Sequence, residues 1–190
     1  MKKIVGLSLV LIMVIGIIGV ETLAYLTDTE NSSGNSLAAG TLDLRTNDAD
    51  GVSQTLYAAN MSFGDTVGPS TITLKNDGTT NGATLDIVFS YTESDGSPNS
   101  VNKTADEMAA MMEAITLNYG GSSLLGSISD INSNGYRDVY DLKNSSLTGQ
   151  SGIAASATKN FDISLRLRSE TGNDFQVDGI TMTMTFTLKQ

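Results

Sequence analysis

The clearest pattern in the chain is an alternation of apolar and polar residues. Phe161, Ile163, Leu165 and Leu167 alternate with Asp162, Ser164, Arg166 and Arg168. Ile180, Met182, Met184, Phe186 and Leu188 alternate in the same way with Thr181, Thr183, Thr185, Thr187 and Lys189. Successive side chains of a strand point to opposite faces of its sheet, so each run predicts a strand with one buried and one wet face. Leu85, Ile87, Phe89 and Tyr91 form a similar register, as do Ile72 with Leu74 and Leu42 with Leu44. Turn-forming clusters fall between the runs: Asn47-Asp48, Phe63-Gly64-Asp65, Asn76-Asp77-Gly78 and Ser94-Asp95-Gly96-Ser97-Pro98. Several short strands separated by turns predict an all-β sandwich.

One short helix is expected among the strands. Thr104-Ala105-Asp106-Glu107 fits a capping box, in which the Thr hydroxyl and the Glu carboxylate satisfy free amides at a helix start. Met108, Met111, Met112 and Ile115 follow at helical spacing. Flexible Met side chains fill irregular gaps, so this stripe is expected to close the sandwich core rather than to line a partner-binding groove.

The first residues follow another rule. Lys2 and Lys3 precede a run of 17 apolar or small residues, Ile4 to Val20, and Thr22-Leu23-Ala24 sets small side chains where a signal peptidase reads. A signal peptide over residues 1–24 is expected, cut by signal peptidase between Ala24 and Tyr25. The run also just reaches spanning length, so a retained membrane anchor is the alternative. Either way the rest of the chain lies outside the cytoplasm, and only the leader touches the membrane.

Composition then limits what the exported part does. The chain has 11 basic and 21 acidic residues; the leader takes Lys2, Lys3 and Glu21, which leaves 9 and 20 and a net charge of −11. Such a surface repels nucleic acid and anionic lipid. The 166 residues after Ala24 suffice for one domain with a sizeable core, and no linker-like stretch divides them. There is no cysteine, so sheet packing, bound ions or neighbouring subunits must supply the stability that disulfides give many secreted domains. There is no histidine either, which removes Ser-His-Asp chemistry and the His-Glu-x-x-His zinc helix.

One segment has the spacing of a metal loop. From Asp130 to Asp141, oxygen-bearing side chains stand at positions 1, 3, 5, 9 and 12: Asp130, Asn132, Asn134, Asp138 and Asp141. Gly135 holds position 6, where the backbone turns sharply, and the Tyr136 carbonyl would serve at position 7. Hard Ca²⁺ takes six to eight oxygens, and alternate residues of a tight loop converge on one centre. The spacing is that of an EF-hand or dockerin loop, with Asp141 in place of the usual final Glu. An Asx-rich surface turn is the alternative. Asn31, Asn60, Asn102 and Asn144 begin N-glycosylation sequons, which a chain so rich in Asn, Ser and Thr also produces by chance. No spacing singles out a carboxylate pair for acid and base work.

The order of segments resembles a known family. Thr22-Leu23-Ala24-Tyr25-Leu26-Thr27-Asp28, then Ala39-Gly40-Thr41-Leu42-Asp43-Leu44, then Phe63-Gly64-Asp65 before the Ile72 and Leu74 strand, is similar to the TasA/camelysin family of biofilm fibre subunits, which includes archaeal bundling pilins. The resemblance implies a jelly-roll-like sandwich over residues 38–190 that lacks a strand. It also implies a donor strand over residues 25–37, here Tyr25, Leu26, Asp28 and Leu37 among others, that completes the next subunit. The partner would then be a second copy of the chain, head to tail, in an extracellular filament. Composition alone makes Thr27 to Asn35 a poor strand, so the donor assignment comes from the family. Some relatives are described as metallopeptidases, but this chain has no histidine or recognisable zinc motif to carry that activity. A calcium-stabilised monomeric surface or adhesion domain, held by an uncleaved leader, is the third reading.

Overall fold

The strand that organises the molecule is β9 (Thr158–Leu167), whose apolar residues Phe161, Ile163, Leu165 and Leu167 are all buried, as their alternation requires. The computed structural model describes residues 41–47, 49–50, 53–56, 61–94, 102–145, 147–175 and 178–190. All of these fall in one unit, Gly40–Gln190. The strands before β9 are β1 (Leu44–Thr46), β2 (Ala49–Asp50), β3 (Ser53–Leu56), β4 (Thr66–Asn76), β5 (Thr84–Glu93), β6 (Met112–Tyr119), β7 (Ser122–Ser123) and β8 (Leu147–Ser151), and β10 (Ile180–Lys189) follows it.

They form two antiparallel sheets. One has the order β2-β1-β4-β9-β6-β7 and the other β3-β10-β5-β8. The buried faces meet at three aromatic rings: Phe161 of β9 lies 6.3 Å from Phe89 of β5 and 5.3 Å from Phe186 of β10, the latter edge-on. Tilted and edge-to-face contacts of this kind suit the ring quadrupoles. The all-β sandwich is therefore the observed class, and Ile72, Leu74, Leu85, Ile87, Met182 and Met184 fill its core as their spacing predicts.

The expected helix is α1 (Ala105–Met111), and its capping box is present in full: the Glu107 N–H donates to Thr104 Oγ1 at 3.2 Å, and the Thr104 N–H to Glu107 Oε2 at 3.0 Å. Its end differs from the helical spacing. Met112 is extended and opens β6, so Met112 and Ile115 lie on a strand. The reason is local: Ile115-Thr116 is β-branched, and Met112, Ala114, Leu117 and Tyr119 are buried against β9. One bulge, between Ala114 and Thr116, hides the alternation from the sequence. The structure also has a second short helix, α2 (Val139–Asn144), which begins inside the predicted metal loop.

The predicted turn at Asn76-Asp77-Gly78 is built around a wholly buried amide. Asn76 Nδ2 donates to the carbonyls of Thr80 (2.9 Å) and Ile153 (3.0 Å), and Oδ1 accepts the Gly78 N–H at 3.0 Å. Leu42, expected to pair with Leu44 on a strand, lies just before β1.

Candidate functional site

The loop from Asp130 to Asp141 closes on itself through its own oxygen atoms. Asp130 accepts the N–H of Asn134 at 3.0 Å and of Gly135 at 2.8 Å, so the first residue folds the middle of the loop back over itself. Gly135 turns with φ at +87°, a conformation that favours glycine. Asn132 Oδ1 accepts the Asn134 N–H and Asn134 Oδ1 the Tyr136 N–H, at 3.2 and 2.9 Å. Asp141 reaches back to the start, accepting the Ile131 N–H at 2.8 Å.

The far end of the loop is a helix start. Asp138 is the N-cap of α2, and its carboxylate accepts the Asp141 N–H at 3.0 Å while the Asp141 carboxylate accepts the Asp138 N–H at 3.2 Å. Both residues are wholly buried. The side-chain amides of Asn132 and Asn134 also donate to Asp138 Oδ2, at 3.1 and 2.7 Å. Burial pushes the Asp138 carboxyl up from its ordinary value, against the opposing pull of these amides.

The residues expected to hold a cation are three carboxylates, two amides whose oxygens already accept loop N–H groups, and the Tyr136 carbonyl. Among the described residues no group of three or more His, Cys, Asp or Glu side chains is gathered closely enough to hold a metal ion alone. An ion here would thus need the Asn132 and Asn134 amides and the carbonyl as much as the acids.

The loop is anchored from outside by residues that its spacing does not reveal. The Arg168 guanidinium lies over the Tyr136 ring, 3.7 Å from its centroid, and pairs with Glu170 at 2.6 Å. That Arg168 contact first, with the Glu170 amide and the Tyr136 hydroxyl after it, holds the Glu170 carboxyl at about 2. Arg137 Nε donates to the Ile128 carbonyl at 3.1 Å. Past the loop, Lys143 of α2 lies 4.3 Å from the centroid of the Tyr91 ring and 3.4 Å from Asp106 of α1, tying α2 to β5 and α1. Arg168 and Glu170 lie beyond β9, about thirty residues along the chain, so only the folded topology brings them to the loop.

A second feature is an incomplete sheet edge. β1 covers β4 only from Leu74 to Asn76. There Asn47, with φ at +52°, reverses the chain into β2. Its N–H donates to the Thr73 carbonyl at 2.8 Å, and its Oδ1 accepts the Thr73 N–H at 2.9 Å. Beyond that point no strand among the described residues pairs with the outer side of Thr66 to Ile72. Backbone groups of an antiparallel strand alternate in direction, so Thr71, two residues from Thr73, also turns its N–H and C=O outward. Pro69 stands in this stretch, and proline is tolerated in strands at edges because it has no N–H to give a neighbour.

The remaining sequence expectations are spread apart. Ala24, Tyr25, Leu26, Asp28 and Leu37 lie outside the described residues, as do Asn31 and Asn60. Asn102 and Asn144 are exposed on opposite sides of α1 in sequence, and Asn144 Nδ2 donates to the Tyr140 carbonyl at 2.7 Å. Among the described residues no helix is long and apolar enough to cross a membrane.

The family model for camelysin metallo-endopeptidase matches the chain over residues 1–190. No curated protein matches it.

Proposed function

The chain belongs to the camelysin metallo-endopeptidase family, the TasA/camelysin group, and from that membership we propose that it is a secreted structural subunit that polymerises into extracellular filaments. Signal peptidase would remove residues 1–24. Residues 25–37 of one subunit would then enter the sandwich of the next, a jelly roll short of one strand, beside β4. The observation that supports this reading is the outer edge from Thr66 to Ile72, unpaired among the described residues and ended by Asn47. A strand added there gains a ladder of backbone hydrogen bonds, and a head-to-tail contact that does not close on itself propagates as a fibre.

In the same reading the Asp130 to Asp141 loop holds Ca²⁺. The carboxylates of Asp130, Asp138 and Asp141, the amide oxygens of Asn132 and Asn134 and the Tyr136 carbonyl would be the ligands, and the ion would supply structural cross-linking only. Two buried carboxylates joined by neutral donors alone are costly, which is the physical case for a cation.

The family's printed name favours a second reading, a metallopeptidase. With no histidine or cysteine anywhere in the chain, imidazole and thiolate zinc ligands have no residue to come from, and we propose a non-enzymatic role. Purified protein that cleaves casein, with cleavage lost when Asp130, Asp138 or Asp141 is replaced, would reverse that choice.

Electron microscopy of mature protein lacking residues 25–37 tests the assembly. A folded monomer without filaments is expected, and a free peptide of residues 25–37 should raise its melting temperature, because binding to the native state alone favours folding. Filaments of normal diameter from the truncated protein would overturn donor-strand exchange.

A further inference from the structure

A cleft of about 460 Å³ lies at the start of β6, between the 3₁₀ turn Leu125–Ser127 and the middle of the Asp130 to Asp141 loop. Glu113 and Ile115 line it from β6, Leu125 and Gly126 from the turn, and Tyr136 and Arg137 from the loop. Its volume is that of a small-ligand site, since such pockets run from about 300 to 1,000 Å³. An added Cβ at Gly126 would meet no atom within 4 Å, so the missing side chain there keeps the rim clear.

The chain has 11 basic and 21 acidic residues, yet three of its four arginines stand at this cleft. Two of them are taken. Arg166 donates through Nε, at 3.2 Å, and Nη2 to one oxygen of Glu113, and Arg168 is held between Glu170 and the Tyr136 ring. Arg137 is exposed, and its Nε donates to the Ile128 carbonyl, which fixes the plane of the guanidinium. Among the described residues no carboxylate pairs with Arg137 and neither Nη group has a hydrogen-bond partner. A guanidinium held in this way offers its two Nη groups as a fork that matches a carboxylate.

Glu113 supplies the complementary group. Both Arg166 bonds fall on Oε2, so Oε1 accepts no hydrogen bond among the described residues. Ile115 and Leu125, both half-buried, add an apolar wall. We propose that the cleft binds a hydroxylated carboxylate, an acidic sugar unit of the uronate class. Its carboxylate sits on the Arg137 fork, a ring hydroxyl donates to Glu113 Oε1, and the C–H face of the ring packs on Ile115 and Leu125. A neutral sugar leaves the fork unanswered, and a carboxylate without hydroxyls leaves Glu113 Oε1 without a donor. The acidic surface around the cleft repels a long polyanion, so the ligand is a single or terminal unit. Neither filament assembly nor a metal ion is needed for this site.

Saturation-transfer NMR reads the bound sugar whether the mature chain is monomeric or assembled. Glucuronate should bind, while glucose and acetyl-alanine, a peptide-like carboxylate without hydroxyls, should each bind about tenfold or more weakly. Arg137→Lys keeps the charge but loses the fork, and should weaken glucuronate about tenfold. Gly126→Leu fills the cleft from a position with free space, so it should abolish binding with the melting temperature unchanged. No transfer to glucuronate at high millimolar concentration overturns the site. Equal binding of glucose overturns the role of Arg137, and equal binding of acetyl-alanine overturns the sugar class. Glucuronate binding that survives Gly126→Leu lies elsewhere on the protein and overturns the cleft.

Discussion

The Tyr91 hydroxyl donates to Asp106 Oδ1 at 2.6 Å, joining the end of β5 to the first turn of α1. Tyr91 is buried, and burial first, then the Asp106 hydrogen bond and charge, push its hydroxyl well above its usual value. The same hydrogen bond, with help from Lys143, lowers the Asp106 carboxyl below its ordinary 3.8. A carboxyl whose folded value is depressed contributes stability that is present above its unfolded value and is lost as pH falls through the folded one. Tyr91→Phe should therefore cost about 1 kcal/mol at neutral pH. Its difference from the parent should shrink below about pH 4. Urea melts at pH 7 and pH 3 measure both.

Calcium added to about one hundred times its dissociation constant should stabilise the fold by about 2.7 kcal/mol if only the native state binds it. Asp130→Ala should abolish most of that gain. Because Asp130 also accepts two loop amides, Asp130→Asn is the companion variant: it keeps an acceptor oxygen and lowers the charge. A melting temperature that ignores millimolar calcium in the parent would reduce the loop to a turn.

Asn76→Ala removes the partners of the buried Gly78 N–H and of the part-buried Thr80 carbonyl, while the Ile153 carbonyl keeps the Gly82 N–H. A loss of about 2–4 kcal/mol is expected in denaturant unfolding, since each unsatisfied buried group costs about 1–3 kcal/mol and partial relaxation recovers some of it.

At Gly68 the backbone has φ at +95°, and an added Cβ would lie 2.7 Å from the Ile163 carbonyl oxygen. Gly68→Ala should destabilise the domain by about 1–3 kcal/mol. Loss of stability without loss of the β circular dichroism spectrum is the expected pattern, because the strain is confined to the β4 bulge beside β9.

The sheets were legible where alternation was uninterrupted. Phe161 to Leu167 and Met182 to Phe186 carry their burial in their spacing, since a period of two admits one buried face. β6 was not, because a bulge after Ala114 breaks the period and the preceding Met stripe mimics a helix. Thr104 and Glu107 announced the start of α1 through a local hydrogen-bond exchange, whereas nothing local marks its end at Met111. In the loop, the ligand spacing was readable and the exit helix followed from it only in part: Asp138 and Asp141 form a second capping box that the metal pattern concealed. Arg168 over Tyr136 is a contact between distant segments, and no window of sequence contains it. The side of β4 left unpaired among the described residues depends on where Asn47 turns the chain, which is a property of pairing rather than of composition.

Asn47 occupies both backbone groups of Thr73, so any strand entering beside β4 meets an end-stop there. Strand register is otherwise free to slip, and a slip of one residue exchanges the two faces of the incoming chain. A fixed stop turns that continuous freedom into a single allowed position. Repeated at every junction, it would make the spacing between subunits a constant of the sequence, set by the number of residues between the incoming strand and the body of its own subunit.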